Sequence, residues 1–261
     1  MKRPANEDSF IIDNDLNLYV VADGMGGHAA GEVASRVAAN TLQNYMKNVL
    51  RQADAQELPD TDKALSRNAN QLAAGIALSN KSVFDVAGEK SAYTGMGTTI
   101  AAVLFSEKTF IAANVGDSSI FLVRNDSISL ESTPHTFAAE IAAKNNEETV
   151  GDEYRHMLTR AVGTKENVEP DIMERPCMED DLLILCSDGL TDKLSENDIK
   201  QIISDHKRLK TACHELVALA NNRGGEDNIT VILLKIKKIY ETDSFAYRAG
   251  KFINRAMSRF K

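Results

Sequence analysis

No stretch of this chain is apolar for long enough to cross a bilayer: runs such as Leu182–Cys186 and 229–234 fall far short of the roughly 20 residues a span requires. The first residues, Met1-Lys2-Arg3-Pro4, show none of the apolar core of a secretory signal. Cysteine is scarce, and Cys177, Cys186 and Cys213 stand at neither a paired nor a metal-finger spacing. Together these absences set the expectation of a reduced, cytoplasmic setting. Basic residues are also in deficit, 30 Lys and Arg against 38 Asp and Glu. The resulting charge of −8 argues against a general nucleic-acid binder, which presents a basic face to phosphates. There is no internal repeat and no low-complexity block. What is present is a 261-residue chain, 43% hydrophobic, with enough apolar material for a sizeable core.

Apolar runs of strand length, several rich in Val and Ile, recur at residues 16–22, 100–105, 110–115, 120–123, 182–186 and 229–236. A first helix is predicted after the glycine cluster, where Val33, Val37, Leu42, Tyr45, Met46 and Val49 recur at three- and four-residue steps. A second is predicted over about 64–87, with Leu72, Ile76 and Val83 on its stripe and Gly88 as its stop. Shorter helices are expected after Ser195, an N-cap with Asp198 three residues on, and after Thr211, ending at Arg223-Gly224-Gly225. Early strands, two consecutive long helices, more strands and late helices do not alternate as a parallel array would. The expected class is α+β, an antiparallel sheet core with helices on its outer faces. The polar stretch 134–154 breaks the strand pattern and reads as a surface insertion.

The informative pattern is where the aspartates fall. Three buried-type strands run into Asp23-Gly24, Asp117-Ser118 and Asp188-Gly189, and Asp227-Asn228 stands just before a fourth. In an antiparallel pair the start of one strand lies beside the end of its neighbour, so all four carboxylates can reach one rim. Two like charges about 4 Å apart repel by roughly 4 kcal/mol at an effective dielectric near 20. Bound cations remove that repulsion, and oxygen-only ligands favour magnesium or manganese over zinc. Two such ions about 3.5–4 Å apart can share a carboxylate and ionise a bridging water, which is phosphoryl-transfer equipment. A single Asp-Gly after a strand more often makes a turn than binds metal; here the ordered set decides.

That set resembles a known family. Arg3-Pro4-Ala5-Asn6-Glu7-Asp8, Asp23-Gly24-Met25-Gly26-Gly27-His28, Gly97-Thr98-Thr99, Asn114-Val115-Gly116-Asp117-Ser118, Ser187-Asp188-Gly189-Leu190 and Asp227-Asn228-Ile229-Thr230 are similar, in order and spacing, to the bacterial branch of the protein phosphatase 2C family. The likeness runs from residue 3 to about 236. It implies a four-layer sandwich of two antiparallel β-sheets flanked by α-helices, with two divalent cations, manganese or magnesium, in a cleft at one end. It implies further that Asp23 bridges the ions, the Gly24 carbonyl helps hold one, and Asp188 and Asp227 hold the other. Glu7 acts through a metal-bound water, Asp8 orients those waters, and Arg3 clamps the substrate phosphate. Asp117 with Asp188 matches the place of a third ion. The implied reaction is attack of a metal-bridging hydroxide on phosphoserine or phosphothreonine in other proteins, in a cell with a cognate serine/threonine kinase. Two alternatives stay open: a non-catalytic phosphoprotein-binding relative, and a metal-dependent hydrolase of small phosphoesters.

The resemblance places the catalytic domain at 1–239, with a shortened first strand ahead of Arg3 and a flap at about 134–154 beside the site. Met25 stands where the eukaryotic branch has a histidine. Gly24, Gly26, Gly27 and Gly31 precede a helix as phosphate loops do, but no Gly-Lys-Ser/Thr follows and nucleotide binding is not expected. His28 is either a site residue or a helix-start hydrogen bonder, and His135, His156, His206 and His214 read as ordinary surface or packing histidines. Thr98 and Thr99 read as strand residues. Residues 240–261 form a basic tail in which Phe245, Ala249, Phe252, Ala256 and Phe260 make a helical stripe among Arg248, Lys251, Arg255, Arg259 and Lys261. Such a segment suits a membrane surface, a partner's groove, or its own domain.

Overall fold

The structure is a computed structural model that describes residues 3, 5–27, 29–51, 62–144, 151, 154 and 156–238. His28, parts of the flap and the whole of the 240–261 tail lie outside the described residues.

In chain order, β1 (Ser9–Asp13), β2 (Leu18–Ala22) and the short β3 (Gly24–Met25) lead into two long helices, α1 (Ala29–Arg51) and α2 (Arg67–Glu89). Next come the short β4 (Gly97–Thr98), then β5 (Ile100–Ser106), β6 (Thr109–Val115), β7 (Ser119–Arg124) and β8 (Ser127–Leu130). The small helix α3 (Phe137–Ala143) precedes β9 (Asp171–Pro176) and β10 (Leu182–Cys186). The chain then forms α4 (Asp188–Thr191), α5 (Glu196–Asp205), α6 (Leu209–Asn222) and β11 (Val231–Lys235).

The strands form a five-stranded sheet in the order β1-β2-β5-β6-β9, a four-stranded sheet in the order β11-β10-β7-β8 and a short β3-β4 ribbon, every pair antiparallel. Helices α1 and α2 cover the outer face of the first, and α5 and α6 that of the second. This is the expected α+β sandwich in four layers. The strand sequences explain it, because alternate residues face opposite sides. Leu18 and Val20 of β2 pack with Leu42, Met46, Leu72 and Ile76 of the helices, while Tyr19 and Val21 meet Leu183, Leu185 and Ile232 between the sheets. Leu182, Ile184 and Cys186 of β10 face the opposite way, toward Ile199, Leu216 and Ala220. A strand buried on both faces must be apolar throughout, which is why these runs are continuous. Burial of each fully covered Leu or Ile contributes about 1.5–3 kcal/mol.

The four expected helices depart from expectation only at their ends, while α3, within the polar insertion, and α4, directly after β10, were not expected. Helix α2 begins at an N-cap, Ser66, whose side chain accepts from the Ala69 N–H, and it runs one residue past Gly88, so that glycine does not stop it. Gly75 lets α2 approach α1, since a Cβ there would stand 2.7 Å from Leu42 Cδ1. Ser195 caps α5 in a full capping box with Asp198. Helix α6 starts at Leu209, two residues ahead of Thr211. Of the strands in the two large sheets, three had no sequence signature: β1, β8 and β9 are edge strands with mixed or exposed faces. The insertion is also more tied down at its start than a surface segment: His135 and Thr136 are buried, and Thr136 bridges to Leu158. Among the described residues no helix is long and apolar enough to cross a membrane.

Candidate active site

The strand registers bring the four aspartates to one rim. Cys186 pairs with both Ser119 and Val231, so the end of β10 lies beside the starts of β7 and β11. In the other sheet Ile100 pairs with Val115 and Ser9 with Ala22, aligning the ends of β2 and β6. The result is a cleft of about 560 Å³ lined by Arg3, Glu7, Asp23, Gly24, Asp117, Asp188 and Asp227, with Met25 and His156 also on its wall. Asp8 sits just behind it, so all eight residues singled out in the sequence are gathered in one place.

Several of these residues are held by specific partners, through the backbone for Asp23 and Glu7 and through the side chain for Asp8 and Arg3. The Asp23 backbone is clamped from the neighbouring strand: its N–H donates to Thr99 Oγ1 at 2.9 Å, and its carbonyl accepts from Thr99 N–H and Thr98 Oγ1. Asp23 lies within hydrogen-bonding reach of both Asp8 and Asp188. Asp8 Oδ2 accepts from Ser187 Oγ at 2.9 Å and Thr230 Oγ1 at 2.7 Å. Glu7 is fixed through its backbone, the N–H donating to Asn228 Oδ1 at 2.8 Å. Arg3 Nη2 donates to Asp227 Oδ2 at 2.6 Å.

The glycines make room for Glu7. A Cβ on Gly31 would stand 2.1 Å from Glu7 Oε2, and one on Gly24 would stand 2.6 Å from the Glu7 carbonyl oxygen and 2.1 Å from that of Gly31. The glycine cluster thus forms a notch for the N-terminal segment. Gly116, at φ +99, turns the chain after β6 so that Asp117 enters the cleft.

The electrostatics are those of an uncompensated acidic cluster. Burial, then the charges of Asp8 and Asp188, hold the Asp23 carboxyl well above the ordinary range. Burial, then Asp117, pushes Asp188 up to about 7, and burial pushes Asp117 up to about 6. Two buried oxygens, Asp8 Oδ1 and Asp188 Oδ1, have no hydrogen-bond partner in the protein. Acidic oxygens that are buried, crowded and partnerless fit hard divalent cations, whose charge would lower these pKa values and occupy the vacant lone pairs.

Several residues at the site were not singled out in the sequence. Ser187, Thr230 and Asn228 position Asp8 and Glu7; the signal that could have found them is their place in the Ser187–Leu190 and Asp227–Thr230 segments that carry the family resemblance. His156, read as an ordinary histidine, stands on the cleft wall, where its ring and the carboxylates of Asp188 and Asp192 offer ligand atoms within 4.8 Å of one another. Asp192 follows Asp188 by four residues, one helical turn. His135 is a packing histidine, as expected, but one buried against the site: its Nδ1 accepts from the Gly116 N–H at 3.0 Å.

Comparison with known proteins agrees with this geometry. The family model for protein phosphatase 2C matches residues 4–228. The serine/threonine phosphatase stp of Listeria monocytogenes is 32% identical over 239 residues, covering 89% of this chain and 91% of its own. Among solved structures, the S. agalactiae serine/threonine phosphatase superposes with a TM-score of 0.79 at 33% identity, over 91% of this chain and 96% of that one. The catalytic domain of PstP, solved in complex with two manganese ions, superposes with a TM-score of 0.76 at 28% identity, over 91% and 94% of the two chains. The chain belongs to the protein phosphatase 2C family and is a metal-dependent protein serine/threonine phosphatase.

Proposed function

We propose that the cleft at the sheet rim is the catalytic centre and that its residues divide the work as follows. Asp23, reaching toward both Asp8 and Asp188, would hold two divalent cations together with the Gly24 carbonyl, Asp188 and Asp227. Asp117 with Asp188 would serve a third ion. When bound, the ions supply an activated water as nucleophile and neutralise charge on the phosphoryl oxygens. Asp8, its Oδ2 fixed by two hydroxyls, leaves Oδ1 free to orient water, and Glu7 does the same from the glycine notch. Arg3 presents a planar guanidinium to the phosphate, and its bond to Asp227 keeps that fork at the cleft mouth. No side chain need form a covalent link to phosphorus. The observation that carries the assignment is the convergence of Asp23, Asp8 and Asp188 with two carboxylate oxygens left partnerless.

The substrates are phosphorylated proteins, and we place the enzyme in the cytoplasm opposite a serine/threonine kinase of the same cell. The domain boundary near residue 239 is likewise proposed, with the basic 245–261 tail recruiting the enzyme to an anionic membrane or a partner. Liposome co-sedimentation unchanged by deleting that tail removes the membrane version.

The decisive assay is phosphate release from a phosphothreonine peptide with manganese and with chelator, for the wild type and Asp188→Asn. Release should require the metal and fall by at least about a hundredfold in the variant, the scale of losing a group that stabilises transition-state charge. Release that survives chelation, or a fully active Asp188→Asn, contradicts the assignment.

A further inference from the structure

One wall of the cleft is a tight turn at residues 163–166. Gly163 adopts φ +87, and a Cβ there would stand 2.2 Å from Val83 Cγ1, so the turn is pressed onto helix α2. The helix holds it with a single side chain. Asn80, 1% exposed, donates from Nδ2 to the carbonyls of Lys165 at 3.0 Å and Glu166 at 2.9 Å, while its Oδ1 accepts from the Gly163 N–H at 2.7 Å. Within the turn, Thr164 Oγ1 donates to the Ala161 carbonyl at 2.9 Å. A buried amide is costly unless satisfied, and this one spends its bonding on fixing one surface turn. Thr164 and Lys165 are therefore displayed into the cleft from a rigid base.

Charge makes that display specific. Five carboxylates line the cleft, and among the described residues Arg3 and Lys165 are its only permanently cationic side chains. Arg3 is engaged with Asp227 at 2.6 Å. Lys165 is exposed and has no ion pair among the described residues. Glu166, next in the turn, does not line the cleft. A bound peptide running over this wall meets one uncommitted ammonium group.

Resting on the phosphatase reading above, we infer that Lys165 is a specificity-determining residue that favours phosphopeptides carrying an anionic side chain beside the phosphorylated serine or threonine. The test compares kcat/KM for two phosphothreonine peptides of equal length, one flanked by Glu and one by Lys, using the full chain with manganese. Wild type should prefer the Glu-flanked peptide by roughly two- to fivefold, the scale of one exposed ion pair. Lys165→Ala should bring the ratio toward one, and Lys165→Glu should invert it. Raising the salt should shrink the wild-type preference, since exposed charges are screened. Because the readout is a ratio within each variant, a general loss of activity does not disturb it. Equal ratios in wild type and Lys165→Glu, with both peptides turned over, overturn this inference alone. Failure of wild type to release phosphate from either peptide overturns the phosphatase reading and this inference with it.

Discussion

Consider the metal-free protein as the pH is raised. Asp188 titrates at about 7 and Asp117 at about 6 in the folded chain, against about 3.9 for an unfolded aspartate. Across that window the folded state binds more protons than the unfolded state, so stability falls as pH rises. The favourable situation is fully present below the unfolded value and is lost as pH climbs through the folded values. Because each group is already half ionised at its own pKa, Asp188 loses about 2 kcal/mol between pH 5 and 7 and Asp117 about 1 kcal/mol between pH 5 and 6, with the remainder lost by about pH 7.5. The two groups repel each other, so a combined loss of about 3–4 kcal/mol is expected. For a domain of this size about 2–4 °C of Tm accompanies each kcal/mol, giving a fall of roughly 10 °C between about pH 5 and pH 7.5. Saturating manganese keeps these carboxylates ionised and compensated, so the gap in Tm between manganese and chelator should widen by that amount. Asp188→Asn removes one charge and should leave the metal-free protein more stable than wild type at about pH 7.5 but not at pH 5. Thermal unfolding followed by calorimetry over this range is the assay. A Tm gap independent of pH, or a metal-free Tm that rises toward neutrality, refutes the reasoning.

Two further outcomes follow from packing around the site. Gly31→Ala places a Cβ where Glu7 Oε2 now stands and should lower kcat/KM on a phosphothreonine peptide by about a hundredfold, the scale of a 1 Å misplacement, with far-UV circular dichroism unchanged. His135→Ala leaves the Gly116 N–H without its acceptor and should cost about 1–3 kcal/mol in denaturant unfolding, with His135→Asn restoring part of it by offering an amide oxygen.

The parts of the fold that were legible in the sequence are those whose residues all experience one environment. Strands β2, β5, β6 and β10 are buried on both faces, so their apolar runs are unbroken and each stops at a polar turn. Edge strands β1, β8 and β9 were not legible because one flank meets solvent: in β1 Phe10 and Ile12 are more than half exposed while Ile11 turns to the core, so apolar residues on both faces give no alternation. The metal-ligand candidates were legible because carboxylates at strand ends are conspicuous. Their supports were not. Ser187, Thr230 and Asn228 gain meaning only through Asp8 and Glu7, about 180 to 220 residues away, and His156 and His135 only through the return of the chain past the cleft.

The fastening of the N-terminal segment sets when the enzyme can exist. Arg3 meets Asp227, Glu7 meets Asn228 and Asp8 meets Thr230, so the earliest described residues are secured by nearly the latest. A chain emerging from the ribosome can stack its first sheet and long helices while the acidic rim still lacks two of its walls. The acidic rim is therefore complete only once synthesis has passed Thr230, and a chain cut short of Asp227, however well its early layers fold, lacks the partners that secure Arg3, Glu7 and Asp8.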